Sequence, residues 1–456
     1  MSFKKNFTDY STTLRLALPI ILSQAGQMLT GIVDNMMVGH VNTTSLAASS
    51  FANGVFVNVM VFGMGFAFGL TPLVGASLGR KDLNRTSILL KNGLFTNLFL
   101  SLFLTVILYF FSYLMPYMGQ PEDVVALSKP YFFIISASMA PMMLFFTFKQ
   151  FTEGVASTKP AMVFTISSNL LNIGLNYILI FGKLGIEPMG LLGAGWATLI
   201  SRIYQGVGFA IYVLLSKRFN AYTTGFWQIP LQLKEIFGLA RLGIPMGLQI
   251  LMEAGAFTIG TIFMGQIGKI ELAAHQVVLS LASFTFMAVG GIGSATTIRI
   301  SNQFGENNFI KLRKIGLSSY FIVILIMAGF GVIFFLGRNI IPLGFSPDIK
   351  VIQVAANLLI FAAIFQVFDG IQLTSMGALR GLADVKAPTL IAFIAYWVIS
   401  LPSGYYLAFY TSLGEAGIWV GFCLGLGIAA ILLVYRFDYL SRKLIDQKMT
   451  SSKIHS

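Results

Sequence analysis

The sequence has little charge and only one cysteine. Of its 456 residues, 10% are Asp, Glu, Lys or Arg and 56% are hydrophobic, whereas about 25% charged residues are usual in a soluble domain. This composition excludes a water-exposed globular protein. Because Cys423 is the only cysteine, a disulfide framework and a thiolate metal site are excluded as well.

Long apolar runs recur along the whole chain, and the short alternating segments of a membrane β-barrel are missing. About 20 apolar residues allow an α-helix to cross a bilayer. The pattern therefore predicts an all-α integral membrane protein. Its twelve predicted spans are 16–39, 51–74, 92–115, 130–148, 161–182, 188–216, 242–268, 272–298, 315–337, 351–379, 387–413 and 415–435.

The net charge of +13 is distributed in a way that argues against nucleic acid as a partner. The basic residues lie between the spans, and with both termini on the inside 24 of the 30 fall in inner segments and five in outer loops. Positive charge collects on the cytoplasmic side of membrane proteins. We therefore expect cytoplasmic termini, contact with membrane lipid, and Arg202 as a lone basic residue inside a span.

Two halves of the chain resemble each other at an offset of 226 residues. "RLALPI" at 15–20 aligns with "RLGIPM" at 241–246, and "EGVASTKP" from Glu153 matches "RGLADVKAP" from Arg380 at an offset of 227. Six spans separate equivalent positions, so the two halves are parallel repeats, an arrangement known in secondary transporters. We expect an N-terminal lobe at 1–216, a cytoplasmic linker at 217–241 and a C-terminal lobe with a basic tail at 242–456.

Three acidic residues lie well inside apolar spans: Asp34, Glu253 and Asp369. Carboxylates are costly in hydrocarbon, and they usually face a cavity, a partner or an ion pathway. The alternative is a structural hydrogen bond between helices. Three such residues in a two-lobe chain favour sites for a coupling ion.

The fifth and sixth spans add polar groups that suit such a site. Asn172 and Asn176 are four residues apart and so share one helix face, and Thr198 supplies a hydroxyl. With Asp34 they form a set of hard oxygen ligands for sodium, or a proton can occupy the carboxylate. The spacing equally allows simple bridges between helices.

Pro19 and Pro245 occupy equivalent positions near the predicted starts of the first and seventh spans. A proline inside a helix removes a backbone hydrogen bond and bends the helix. The two residues are candidate hinges, with a proline tolerated at a helix start as the alternative.

The sequence resembles the MATE family of multidrug exporters, in particular its NorM branch. The resemblance rests on "PIILSQAGQMLTGIVDNMMVGHV", "SLAASS", "MEAGAF", "LAAHQV" and "GALRGLADVKAP", and it extends over nearly the whole chain. It implies a V-shaped pair of six-helix lobes that exports organic cations in exchange for sodium or protons. It also implies ion sites at Asp34, Asn172, Asn176 and Thr198 in the first lobe, and at Glu253 and Asp369 in the second.

One position departs from the family pattern. Some members carry a tyrosine four residues before the carboxylate of the tenth span, where this chain has Phe365. From the sequence, the second lobe therefore lacks a phenolic oxygen for an ion.

The resulting functional hypothesis is a cation-coupled multidrug antiporter, not an enzyme, working by alternating access with no cofactor other than its coupling ion. We expect a monomer in the bacterial inner membrane. A lipid-linked oligosaccharide flippase of the same superfamily is the nearest alternative, although basic rather than acidic cavity residues are expected there. An intramembrane enzyme is the more distant alternative, because the chain has no His-Cys-Asp constellation and no nucleotide motif.

Overall fold

The computed structural model describes the backbone of residues 3–454 and the side chains of residues 9–450. Within these residues the protein is entirely helical, without a β-strand. Twelve stretches between Asp9 and Thr450 are long and apolar enough to cross a membrane, which confirms the predicted number. Helices suit this environment because each satisfies its own backbone hydrogen bonds without water.

The first six spans begin with one long helix and contain several interrupted ones. Their helices are α1 (Phe3–Gly39), α2 (Thr43–Ala67), α3 (Leu70–Gly79), α4 (Leu83–Leu114), α5 (Glu122–Ala137), α6 (Met139–Gly154), α7 (Lys159–Phe181), α8 (Gly190–Ile203) and α9 (Phe209–Leu215). A π-helical segment, Tyr204–Gly208, joins α8 to α9.

The last six spans follow a short connecting helix, α10 (Asn220–Thr223). Their helices are α11 (Leu233–Ile267), α12 (Lys269–Gly305), α13 (Phe309–Gly337), α14 (Ile349–Gly381), α15 (Lys386–Phe393), α16 (Leu401–Tyr410) and α17 (Glu415–Ile454). A second π-helical segment, Ile394–Ser400, joins α15 to α16. Helix α11 begins inside the stretch 217–241 assigned to the linker, and the predicted lobe boundaries stay a prediction.

The sequence repeat recurs in local backbone geometry. Lys81 and Asn307, which are 226 residues apart, both have a positive φ angle, as do Ala156 and Ala383, which are 227 apart. Few non-glycine residues adopt this conformation. The two halves therefore share the shape of their turns as well as parts of their sequence.

Side-chain hydrogen bonds repeat at the same offset. Asp82 and Asn308 each cap the following helix by accepting a hydrogen bond from a backbone N–H, a preferred role for these residue types. Thr71 and Thr297 each donate to a backbone carbonyl in a later helix of the same half, at Gln150 and Gly377.

The chain divides into two compact units. One consists of Leu22–Gly247, and the other combines Met1–Ile21 with Leu248–Ser456. Both division points obey the 226-residue offset, so α1 and α11 each contribute residues to both units.

Each unit has its own apolar core. Aromatic side chains such as Phe132, Phe145 and Phe148 are fully buried in the first unit, and Trp419 and Phe422 are fully buried in the second. Large aromatic side chains contribute much of the buried area of such cores.

Small residues allow close helix packing inside the second unit. A Cβ atom on Gly421 of α17 would lie 2.5 Å from the Cα atom of Gly404 in α16. Such approaches between small residues replace the hydrophobic effect as the source of helix association in lipid. Any larger side chain at Gly421 would separate the two helices.

Candidate functional site

Asp34, Asn172 and Asn176 form one hydrogen-bonded chain, which we call the Asp34 group. The Nδ2 atom of Asn176 donates to the Asp34 carboxylate (Oδ1) at 2.5 Å and lies 3.2 Å from the Asn172 amide oxygen. Both asparagines are buried on α7, whereas Asp34 on α1 is half-buried. The structure thus brings together three of the four residues predicted for this site.

An amide oxygen remains available within the Asp34 group. Asn176 Oδ1 is buried and has no hydrogen-bond partner among the residues that the structure describes. A buried acceptor without a donor is costly, and a cation or a water molecule at this position would remove the cost. Carboxylate and amide oxygens are the ligands that hard cations prefer.

Thr198 stands apart from the Asp34 group. It is half-buried on α8, and across the described side chains none of the hydrogen bonds joins it to Asp34, Asn172 or Asn176. Its role as an ion ligand stays a prediction.

Arg202 lies near this group without forming an ion pair within 4 Å in the described part of the chain. Its guanidinium donates to the Ser138 hydroxyl at 2.6 Å and lies 4.9 Å from the centre of the Phe56 ring. It also interacts electrostatically with Asp34. The sequence left the choice between snorkelling and pairing open; the structure instead holds Arg202 by a hydroxyl and an aromatic face.

The second candidate site is built around Glu253 and Tyr396. The Tyr396 hydroxyl lies 3.0 Å from Glu253 Oε1 and 2.9 Å from Gln372 Oε1. These three side chains form the Glu253 group. They come from α11, α14 and the π-helical segment, and both Tyr396 and Gln372 are buried.

Asp369 is close to this group but not hydrogen-bonded into it. It is 3% exposed on α14, and its Oδ2 atom has no partner among the described residues. Asp369 and Glu253 are near enough for their charges to repel each other. A proton or a cation would relieve this repulsion.

The phenolic oxygen that the sequence analysis missed comes from Tyr396. Phe365 is buried and packs against Phe257 and Trp419, so it indeed contributes no hydroxyl. The expectation that the second lobe lacks a phenolic oxygen is nevertheless wrong, because Tyr396 supplies one from another span. The available signal was a tyrosine within an apolar span, which a search restricted to acidic residues overlooks.

Pro19 and Pro245 do not lie near helix starts, contrary to the sequence analysis. Helix α1 begins at Phe3 and α11 at Leu233, so both prolines are inside their helices. Each precedes by two residues the point where its helix passes from one compact unit to the other. The helix-start alternative is therefore wrong, whereas the hinge role stays a prediction.

Both groups place a carboxylate beside hydrogen-bonding side chains inside a membrane span. A carboxylate in this setting can exchange a proton or a small cation, since either neutralises its charge. Asp34 and Glu253 do not align in the repeat, because position 253 corresponds to Gln27 at the 226-residue offset. The two units therefore carry different versions of an acidic site.

Comparisons with known proteins agree with this architecture. A probable multidrug resistance protein NorM from Xylella fastidiosa (strain 9a5c) is 34% identical over 438 residues, which cover 96% of this chain and 93% of the relative. A probable multidrug resistance protein NorM from Agrobacterium fabrum is 31% identical over 444 residues, covering 96% and 95%.

Solved structures share the fold. A crystal structure of MATE in the bent conformation matches with a TM-score of 0.89 at 21% identity, covering 96% of this chain and 97% of that one. A eukaryotic MATE transporter matches with a TM-score of 0.85 at 20% identity, covering 97% and 99%.

The MatE family model matches residues 19–178 and again residues 245–406. The two matches begin 226 residues apart, at Pro19 and Pro245, as the internal repeat requires. The chain is therefore a multi-pass membrane protein that belongs to the MatE family.

Proposed function

We propose that this protein is a cation-coupled multidrug efflux antiporter. It exports organic cations in exchange for sodium ions or protons by alternating access, as a monomer in the bacterial inner membrane. The observation that carries the proposal is the Asp34 carboxylate, which accepts a hydrogen bond from Asn176 inside a membrane span. The names of the relatives as multidrug resistance proteins support the substrate class.

The chemistry of coupling follows from charge. A carboxylate occupied by a sodium ion or a proton is neutral, and an empty carboxylate is anionic, so the two states favour different environments. An organic cation is attracted to the anionic state and to aromatic faces, of which the chain has many, with 42 phenylalanines. Exchange results when drug and coupling ion exclude each other.

Transport in proteoliposomes tests the proposal. Purified protein is reconstituted into vesicles loaded with ethidium, and sodium and proton gradients are imposed separately. We expect ethidium to move against at least one of the two gradients. Lack of gradient-dependent movement with both ions would refute the proposal, and movement of a lipid-linked oligosaccharide instead would favour a flippase.

A further prediction concerns orientation, with both termini in the cytoplasm. Gln120 is exposed between α4 and α5, and a cysteine there is expected to react with a membrane-impermeant maleimide in intact cells. The background is Cys423→Ala, since Cys423 is the only native cysteine. Ser112, which the topology also places near the outer face, is unsuitable because it is 1% exposed.

The matched control is a cysteine at Glu306, which is exposed in the turn between α12 and α13. That position is expected to react only after permeabilisation. The reverse pattern at Gln120 and Glu306 would invert the proposed topology.

A further inference from the structure

The Tyr396 hydroxyl has two acceptors and only one proton. A phenol donates one hydrogen bond, yet the oxygens of Glu253 and Gln372 lie 3.0 and 2.9 Å from it. We propose that Tyr396 is a positioning residue that transmits the occupancy of Glu253 by a proton or cation to Gln372 on α14. The inference rests on the proposed antiport and deepens it.

The direction of the Tyr396 hydrogen bond depends on Glu253. An ionised Glu253 offers only acceptors, and it takes the phenol proton because hydrogen bonds to charged groups are the stronger ones. Gln372 then loses its donor, and its amide must turn. When Glu253 carries a proton, its own O–H donates to the phenol oxygen, and the phenol proton returns to Gln372.

A bound cation has the same effect as a proton. A cation on the Glu253 carboxylate is attracted to the lone pairs of the Tyr396 oxygen, as oxygen ligands are to hard cations. The phenol O–H then points away from the cation and towards Gln372. Both candidate coupling ions therefore produce one hydrogen-bond arrangement, and the empty carboxylate produces the other.

Packing restricts the response to Gln372. Tyr396 is fully buried, and its ring packs edge-on against Phe257. The neighbouring Trp397 donates to the backbone carbonyl of Met252 at 3.1 Å, which ties the π-helical segment to the turn that carries Glu253. Such π-helical segments are frequent at functional sites. Because the tyrosine is held in place, the change in hydrogen bonding is taken up by the amide.

Gln372 links this change to the second carboxylate. It lies three residues after Asp369 on α14, so the two side chains share a helix face. The charged groups around Glu253 are Asp369, which repels it, and Arg380, which attracts it. Arg380 also donates to Gln249 Oε1 at 3.4 Å. Occupancy of Glu253 thus alters both the charge and the hydrogen bonding beside Asp369.

The variant Tyr396→Phe tests this role, because it keeps the ring against Phe257 and removes only the hydroxyl. In the proteoliposome assay we expect the half-saturating concentration of the coupling ion to rise about tenfold, as for the loss of one hydrogen bond to a charged group. The KM for ethidium is expected to stay unchanged. Tyr405→Phe is the matched control: Tyr405 packs against Phe263 and Phe409 in α16 and should leave both values unchanged.

Gln372→Met supplies a second, independent variant. It removes the relay acceptor at similar volume, and we expect a similar rise in the half-saturating ion concentration. The double variant should show no further rise, since residues acting through one hydrogen-bond network are not additive. If Tyr396→Phe does not insert, Gln372→Met decides alone.

Wild-type ion dependence in Tyr396→Phe, or in Gln372→Met, would overturn the role of Tyr396 and leave the antiport intact. Additive effects in the double variant would overturn it too. Failure of the wild-type protein to respond to either gradient would instead refute the proposed function together with this inference.

Discussion

The substitution Asp34→Asn is expected to abolish gradient-driven efflux, to below about one hundredth of the wild-type rate, while the protein still inserts. An amide can neither release a proton nor offer a full negative charge to sodium. Its oxygen can still accept the hydrogen bond that Asn176 donates to Asp34. The substitution therefore removes the charge and preserves the contact between α1 and α7.

Ion-driven transport and drug binding have to be measured separately in the Asp34→Asn variant. Glu122→Gln is the matched control, because it makes the same chemical change at an exposed position outside the apolar part of its span. We expect wild-type efflux from the control. Gradient-dependent efflux in Asp34→Asn at a rate near that of wild type would exclude Asp34 as a coupling site.

Hydrophobicity alone predicted the number of spans because a bilayer imposes a minimum apolar length on each helix. It predicted their ends less well. The first span was placed at 16–39, whereas α1 begins at Phe3, and the last at 415–435, whereas α17 continues to Ile454. Helices continue into water once polar residues with good helix propensity follow, and apolarity does not record that continuation.

Prediction of the candidate site depended on how local its geometry is. The shared face of Asn172 and Asn176 follows from a spacing of four, and their hydrogen bond reflects it. Tyr396 lies 143 residues from Glu253, and their contact depends on how three spans pack. No spacing rule reaches across that separation, so the phenol became visible only in the fold.

An ion-pair cluster at the start of α1 was also invisible in the sequence. The Asp9 carboxylate lies 2.9 Å from Arg299 and 3.0 Å from Lys314. Arg299 is 9% exposed, and it also donates to the Thr13 hydroxyl at 2.6 Å. The equivalent position at the 226-residue offset is Glu235 near the start of α11.

Glu235 has a weaker partner than Asp9. It forms a single ion pair with Arg85 at 3.5 Å, and the Arg85 side chain is 39% exposed. An exposed ion pair contributes about 0–1 kcal/mol. The same acidic position in the repeat therefore carries a buried cluster in one unit and a solvent-accessible pair in the other.

The substitution Asp9→Asn is expected to lower the free energy of unfolding by about 3–5 kcal/mol, because it leaves the buried Arg299 guanidinium without its counter-charge. Glu235→Gln should cost no more than about 1 kcal/mol. Unfolding in detergent, followed by circular dichroism during SDS titration, compares the two variants with wild type. In the double variant Asp9→Asn with Arg299→Met, the unpaired charge is gone, and we expect part of the lost stability to return. Equal losses for Asp9→Asn and Glu235→Gln would show that burial of Arg299 does not set the strength of the Asp9 cluster.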